Sequence, residues 1–109
     1  MKPRSPAQPW ALAFSLGLLV AASNAWSADP QHLRTRALAA TCAQCHGTDG
    51  RAVEGEAMAR LAGQPKDTLM TQLLAFRTGQ RPATIMHQIT RGYSQEQLDQ
   101  VATYFAGLK

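Results

Sequence analysis

Two thiols and an imidazole within five residues, Cys42-Ala43-Gln44-Cys45-His46, constrain this chain more than any other feature of it. They include both of its cysteines, so whatever the thiols hold, they hold as one unit. A helical pattern leads into them: Leu38, Cys42 and Cys45 fall at i, i+4 and i+7, on one face of an α-helix. Asp29-Pro30 is a good helix start, with Asp as N-cap and Pro in the first turn. The expected helix therefore runs from there to Gly47, where Gly47-Thr48-Asp49-Gly50 reads as a turn. Thiols and imidazole arrive together at its C-terminal end.

Only part of the 109 residues is expected to belong to a fold. Lys2 and Arg4 give a positive start, Trp10 to Ala22 is free of charge, and small residues follow in Ser23-Asn24-Ala25-Trp26-Ser27-Ala28. That is the plan of a cleaved secretory signal over residues 1–27. The apolar run is too short for a membrane span, which needs about 20 residues. The expected product is an exported, periplasmic domain over 28–109 with no membrane span. It has 109 − 27 = 82 residues. The chain's 11 basic and 7 acidic residues lose Lys2 and Arg4, leaving 9 − 7 = +2. Half of the net positive charge thus belongs to the export segment. No run of Lys and Arg interleaved with aromatics remains, which argues against nucleic acid as a partner. A domain this small is short of apolar surface to bury and needs a staple or a cofactor.

The rest of the domain reads as helices and loops. From Arg51 to Gly63 the chain is mixed, a loop with room for a short helix. Pro65 opens a second helix, with Leu69, Leu73 and Phe76 on one stripe, Met70 and Leu74 beside it, and Gly79 as its stop. Gln80 to Tyr93, with Pro82 and Gly92, reads as a loop with a short helical turn. Ser94-Gln95-Glu96-Gln97 is a capping box, and behind it Leu98, Val101, Ala102, Phe105 and Leu108 make one apolar face. No stretch alternates with period two. The expected fold is all-α, with three main helices.

The Cys-x-x-Cys-His spacing has a specific chemical meaning. Each thiol can add to one vinyl group of a haem, and the adjacent imidazole then reaches the iron as proximal ligand. Three other readings compete. A thioredoxin-type redox pair belongs with a βαβ pattern, and no strand pattern is present. A structural zinc needs four ligands, and beyond Cys42, Cys45 and His46 only the distant His32 or His87 is available. A Cys42–Cys45 disulfide would close a very short loop and add little stability. One covalently bound haem c is therefore the expected cofactor. For the sixth position on its iron the domain offers Met58, Met70 and Met86. Met70 sits in an apolar stripe, where Met usually fills gaps. Met58 lies in the early loop. Met86 lies in the Gly/Pro-bounded loop, and that placement favours it. His32 and His87 are rival ligands, each expected instead at the surface.

These residues resemble a class I monohaem cytochrome c over essentially all of the exported part. The resemblance runs through Leu38-Ala39-Ala40-Thr41-Cys42-Ala43-Gln44-Cys45-His46-Gly47, Leu61-Ala62-Gly63-Gln64-Pro65 and Ala75 to Met86, and ends in Gly92-Tyr93-Ser94 and Ala102-Thr103-Tyr104-Phe105-Ala106. It implies the class I cytochrome c fold, its helices and loops wrapped around one covalent haem, with Met86 as distal ligand. The stretch Arg81-Pro82-Ala83-Thr84-Ile85-Met86 is most similar to the cytochrome subunits of flavocytochrome c sulfide dehydrogenases. The chain departs from the pattern at Ala59, where relatives commonly carry a proline. In the family a carbonyl of that loop accepts the ring N–H of the proximal histidine, and Ala59 still supplies a carbonyl.

The function so implied is electron transfer rather than catalysis. A His/Met pair fills both axial sites, and no Ser/His/Asp set, carboxylate pair or phosphate loop is present. The resemblance points to a haem subunit accepting electrons from a sulfide-oxidising flavoprotein. The alternatives are a freely diffusing periplasmic carrier and, from another class, a five-coordinate haem sensor or peroxidase-like protein, which would need Met86 away from the iron. Near Met86, Arg77, Arg81 and Arg91 are the charges available to a partner, or simply a solvated surface.

Overall fold

The computed structural model describes residues 28–55 and 57–109, so the expected export segment 1–27 lies outside the described residues. Among the described residues five α-helices follow one another: α1 (Pro30–Ala40), α2 (Ala43–His46), α3 (Lys66–Thr78), α4 (Met86–Arg91) and α5 (Gln95–Ala106), with a 3-10 turn at Thr48–Gly50 between α2 and α3. There is no β-strand among the described residues. The expected three main helices are α1, α3 and α5.

Local chemistry sets their ends. The Asp29 carboxylate accepts the Gln31 N–H at 3.0 Å and starts α1. Gly79, left-handed at φ 79°, stops α3. At α5 the capping box is complete: Ser94 Oγ accepts the Gln97 N–H at 3.1 Å, and Gln97 Oε1 accepts the Ser94 N–H at 2.8 Å.

Helix α5 packs against both α1 and α3, and α4 lies on α3. The core is Ala39 of α1, Leu69 of α3, and Val101, Ala102 and Phe105 of α5. Leu38, Cys42, Leu61, Met70, Leu73, Tyr104 and Leu108 pack around it, half-buried. Phe105 is its largest fully buried side chain, and truncating such a phenylalanine costs about 3–5 kcal/mol. Leu98 completes the buried face expected of α5.

Two expectations need correction. The first helix does not run unbroken to Gly47. It ends at Ala40 and resumes as α2, because the Thr41 and Cys42 N–H groups turn to the carbonyls three residues back, Leu38 at 3.3 Å and Ala39 at 3.1 Å. Cys42 and Cys45 therefore part company: Cys42 packs against the core while Cys45 is exposed. From Arg51 to Gly63 the chain is the loop expected, with turns and no helix among the described residues. And Met86 is not in a loop; it is the first residue of α4.

Candidate haem-binding site

Gly47 and Gly50 shape the turn that leaves the motif. Both have positive φ, 79° and 69°. A Cβ on Gly47 would collide with the Arg51 carbonyl, and one on Gly50 would sit 2.8 Å from both Leu61 Cβ and Phe105 Cδ1. The chain can thus turn sharply after His46 and bring its backbone flat against Phe105. The Gly50 carbonyl then accepts from Leu61 N at 2.8 Å and Ala62 N at 3.1 Å, closing the base of the 51–60 loop. Tyr104 donates to Asp49 Oδ1 at 2.9 Å, fastening the turn to α5.

The closed loop presents Ala59 to the imidazole. His46 Nδ1 lies 2.7 Å from the Ala59 carbonyl oxygen. A carbonyl only accepts, so Nδ1 carries the proton and Nε2 keeps its lone pair. That is the tautomer a metal ligand requires, oriented by the hydrogen bond on its other nitrogen. The expected carbonyl is present although Ala59 stands where proline is usual.

The thiols are both free. Burial pushes the Cys42 thiol above its ordinary pKa; the Thr41 hydroxyl opposes this and Cys45 adds to it. Among the described residues no group of three or more His, Cys, Asp or Glu side chains is placed to hold a metal ion.

Met86, half-buried, opens α4, and the fully buried Thr90 donates from Oγ1 to its carbonyl at 2.9 Å. Met70 is half-buried against the core, as expected of a gap filler, and Met58 is 46% exposed. His32 is exposed on α1 with its ring tilted against Tyr104, centroids 6.3 Å apart. His87 is not the surface histidine expected: it is half-buried, and its Nδ1 is buried without a hydrogen-bond partner among the described residues. A buried ring nitrogen of this kind calls for a bound group or an ordered water. Arg81 lies over the Phe76 ring, 4.7 Å from its centroid, and bonds Gln72; Arg91 is exposed and Arg77 half-buried.

These residues fit a haem. Of the five exposed large hydrophobic side chains among the described residues, Val53 and Met58 lie on the loop carrying Ala59, and Ile85 and Ile89 flank Met86. Aliphatic surface left open on these two segments is what a flat apolar macrocycle would cover.

One link escapes sequence reasoning. The Thr41 and Tyr93 hydroxyls are 2.7 Å apart across 52 positions. Thr41 Oγ1 gives its single proton to the Leu38 carbonyl at 2.7 Å, so Tyr93 is the donor to Thr41. No spacing or composition rule foretells this contact.

The profile of the cytochrome c family matches residues 34–109. A cytochrome subunit of sulfide dehydrogenase from Chlorobaculum tepidum is 33% identical over 75 residues, 69% of this chain and 66% of that protein. A thiosulfate dehydrogenase electron acceptor from Thiomonas intermedia is 35% identical over 96 residues, 87% of this chain and 42% of that protein. The chain thus spans only part of the length of these relatives. Among solved structures, a cytochrome c4 from Acidithiobacillus ferrooxidans superposes with a TM-score of 0.64 at 26% identity, covering 91% of this chain and 70% of that one.

Proposed function

Since the chain belongs to the cytochrome c family, and is by that membership an electron-transfer protein carrying covalent haem, we propose that Cys42 and Cys45 bind one haem and that His46 and Met86 ligate its iron. One observation carries the assignment: the bond from His46 Nδ1 to Ala59, which leaves Nε2 unprotonated beside two free thiols. When bound, the haem supplies a one-electron iron couple. The polypeptide does the rest. The Gly50-closed loop holds the imidazole in one tautomer and orientation. Met86 closes the sixth position, so no substrate need reach the metal, and a thioether there raises the reduction potential. A five-coordinate sensor or peroxidase would leave Met86 without this role.

The reading includes export, with residues 1–27 removed and the haem attached in the periplasm. Among the described residues no helix is long and apolar enough to cross a membrane. For the partner, the similarity to a sulfide dehydrogenase cytochrome subunit supports docking on a sulfide-oxidising flavoprotein that reduces this haem. The similarity to a thiosulfate dehydrogenase electron acceptor supports the second reading, a diffusing carrier. Two haem propionates would bring the exported +2 to about zero, so long-range steering by net charge is weak in either case.

Mass spectrometry of the denatured native protein tests the haem: the expected mass is the chain cut between Ala25 and Ala28 plus one haem, and an unmodified chain overturns the assignment. Purification of tagged protein from its periplasm in high salt tests the partner. A stoichiometric flavoprotein that survives the wash supports the subunit; clean monomer supports the carrier.

A further inference from the structure

We propose that the hydrogen bond from Tyr93 to Thr41 is a clamp that positions Met86 and so sets how firmly the methionine holds its place; this rests on the reading of Met86 as the sixth ligand. Thr41 immediately precedes Cys42, at the joint between α1 and α2. Tyr93 immediately follows Gly92, which ends α4. Among the described residues their 2.7 Å contact is the only hydrogen bond joining the segment 80–94 to the segment 41–46.

The main other restraints on Met86 act within its own helix or against α3. Helix α4 has six residues, and its N-cap Ile85 offers no side-chain bond. A helix that short is not stable by itself. Thr90 ties the Met86 carbonyl into the first turn at 2.9 Å, and the packing of α4 on α3 presses it to the core. Neither joins α4 directly to the segment that bears the thiols. The clamp does, and because α4 is only about 9 Å long and moves as a unit, anchoring Tyr93 at one end to the residue beside Cys42 anchors Met86 at the other. Thr41 accepts from Tyr93 while its own proton goes to Leu38, so the same hydroxyl takes part in the α1–α2 break and in the clamp on α4.

Imidazole binding to the ferric holoprotein reads the clamp directly, since imidazole competes with Met86. Tyr93→Phe and Thr41→Val should each raise imidazole affinity about fivefold, as expected for loss of one hydrogen bond worth about 1 kcal/mol. The double variant should gain no more than either single one, because both remove the same bond. Thr41→Ser, which keeps the hydroxyl, should behave as wild type, and it keeps the test decisive should the bulkier changes prevent folding. Singles that lower the melting temperature but leave imidazole affinity unchanged, or a double variant whose effect is the sum, overturn the clamp. Met86→Ala is measured alongside. If it opens the site while the clamp variants do nothing, the clamp alone fails; if it retains the red-end ferric band of Met–iron bonding, the ligand assignment fails and the clamp falls with it.

Discussion

His46 Nδ1 and the carbonyl oxygen of Ala59, thirteen residues further along the chain, are 2.7 Å apart. The bond uses backbone on the acceptor side, so the identity of residue 59 matters less than where its loop is held. That loop is closed by two N–H groups on the Gly50 carbonyl, and Gly50 itself lies against Phe105. The imidazole is thus oriented through a chain of contacts that ends in the core.

Gly50→Ala tests this chain. The added Cβ would meet Leu61 and Phe105 at 2.8 Å, on a backbone at φ +69°. Overpacking and left-handed strain together should cost about 2–5 kcal/mol. Gly55→Ala is the control: it shares a positive φ of 89° but its Cβ would meet nothing within 4 Å, so only the strain, about 1–2 kcal/mol, should appear. Thermal melts of the two holoproteins measure the difference. A shift in reduction potential confined to Gly50→Ala would follow from displacement of Ala59.

Methionine substitutions separate ligand from packing. Met86→Ala should open the sixth position, lower the potential and admit carbon monoxide or imidazole. Met70→Ala should leave the spectrum alone and cost about 2 kcal/mol, the low end of core truncation, because Met70 is only half-buried against the core. Met58, 46% exposed, should tolerate alanine in both assays. Absorption spectra and denaturant titrations suffice. A six-coordinate methionine spectrum surviving in Met86→Ala moves the assignment to Met58.

Much of this was legible from residue patterns, and what was not has a common cause. The capping box at Ser94 and the face from Leu98 to Phe105 are local, so they specify α5 without reference to the rest of the chain. The Cys-x-x-Cys-His spacing is local too. The break at Thr41–Cys42 is not: the helical pattern continues through it, while the hydroxyl that Thr41 meets belongs to Tyr93. Helix α4, at six residues, is too short for a periodicity to register. His87 is half-buried on α4, and a polar residue after Met86 gave no sign of it.

Removal of the haem should leave the chain largely unfolded. Among the described residues the buried hydrophobic side chains number seven, Ala39, Ala62, Leu69, Leu98, Val101, Ala102 and Phe105, and three of them are alanines. Such a core is too small to offset the entropy of ordering about 80 residues. A Cys42→Ser, Cys45→Ser double variant should fail to accumulate as folded protein, and circular dichroism should show no cooperative melt. A cooperative, native-like transition without haem would contradict the expectation.

Alkaline stability should depend on Tyr104. Burial raises its pKa first, and the hydrogen bond to Asp49 and the Asp49 charge raise it further, while Arg36 pulls the other way. The groups facing the phenol are thus Asp49 on the 3-10 turn and Arg36 on α1, with the His32 ring tilted against its own. Unfolded tyrosine ionises near pH 10. The folded state holds the proton more tightly, so Tyr104 contributes its full stabilisation below about pH 10 and loses it as pH rises through the higher folded-state value. Tyr104→Phe removes the bond that fastens the 3-10 turn to α5. It should cost about 0.5–1.5 kcal/mol at neutral pH, a fall of several degrees in melting temperature for a domain of about this size. Above pH 10 wild type should lose stability faster than the variant, and the two melting curves should converge. Parallel curves from pH 7 to 11 would show that Asp49 and Tyr104 do not share the proton as their 2.9 Å contact requires.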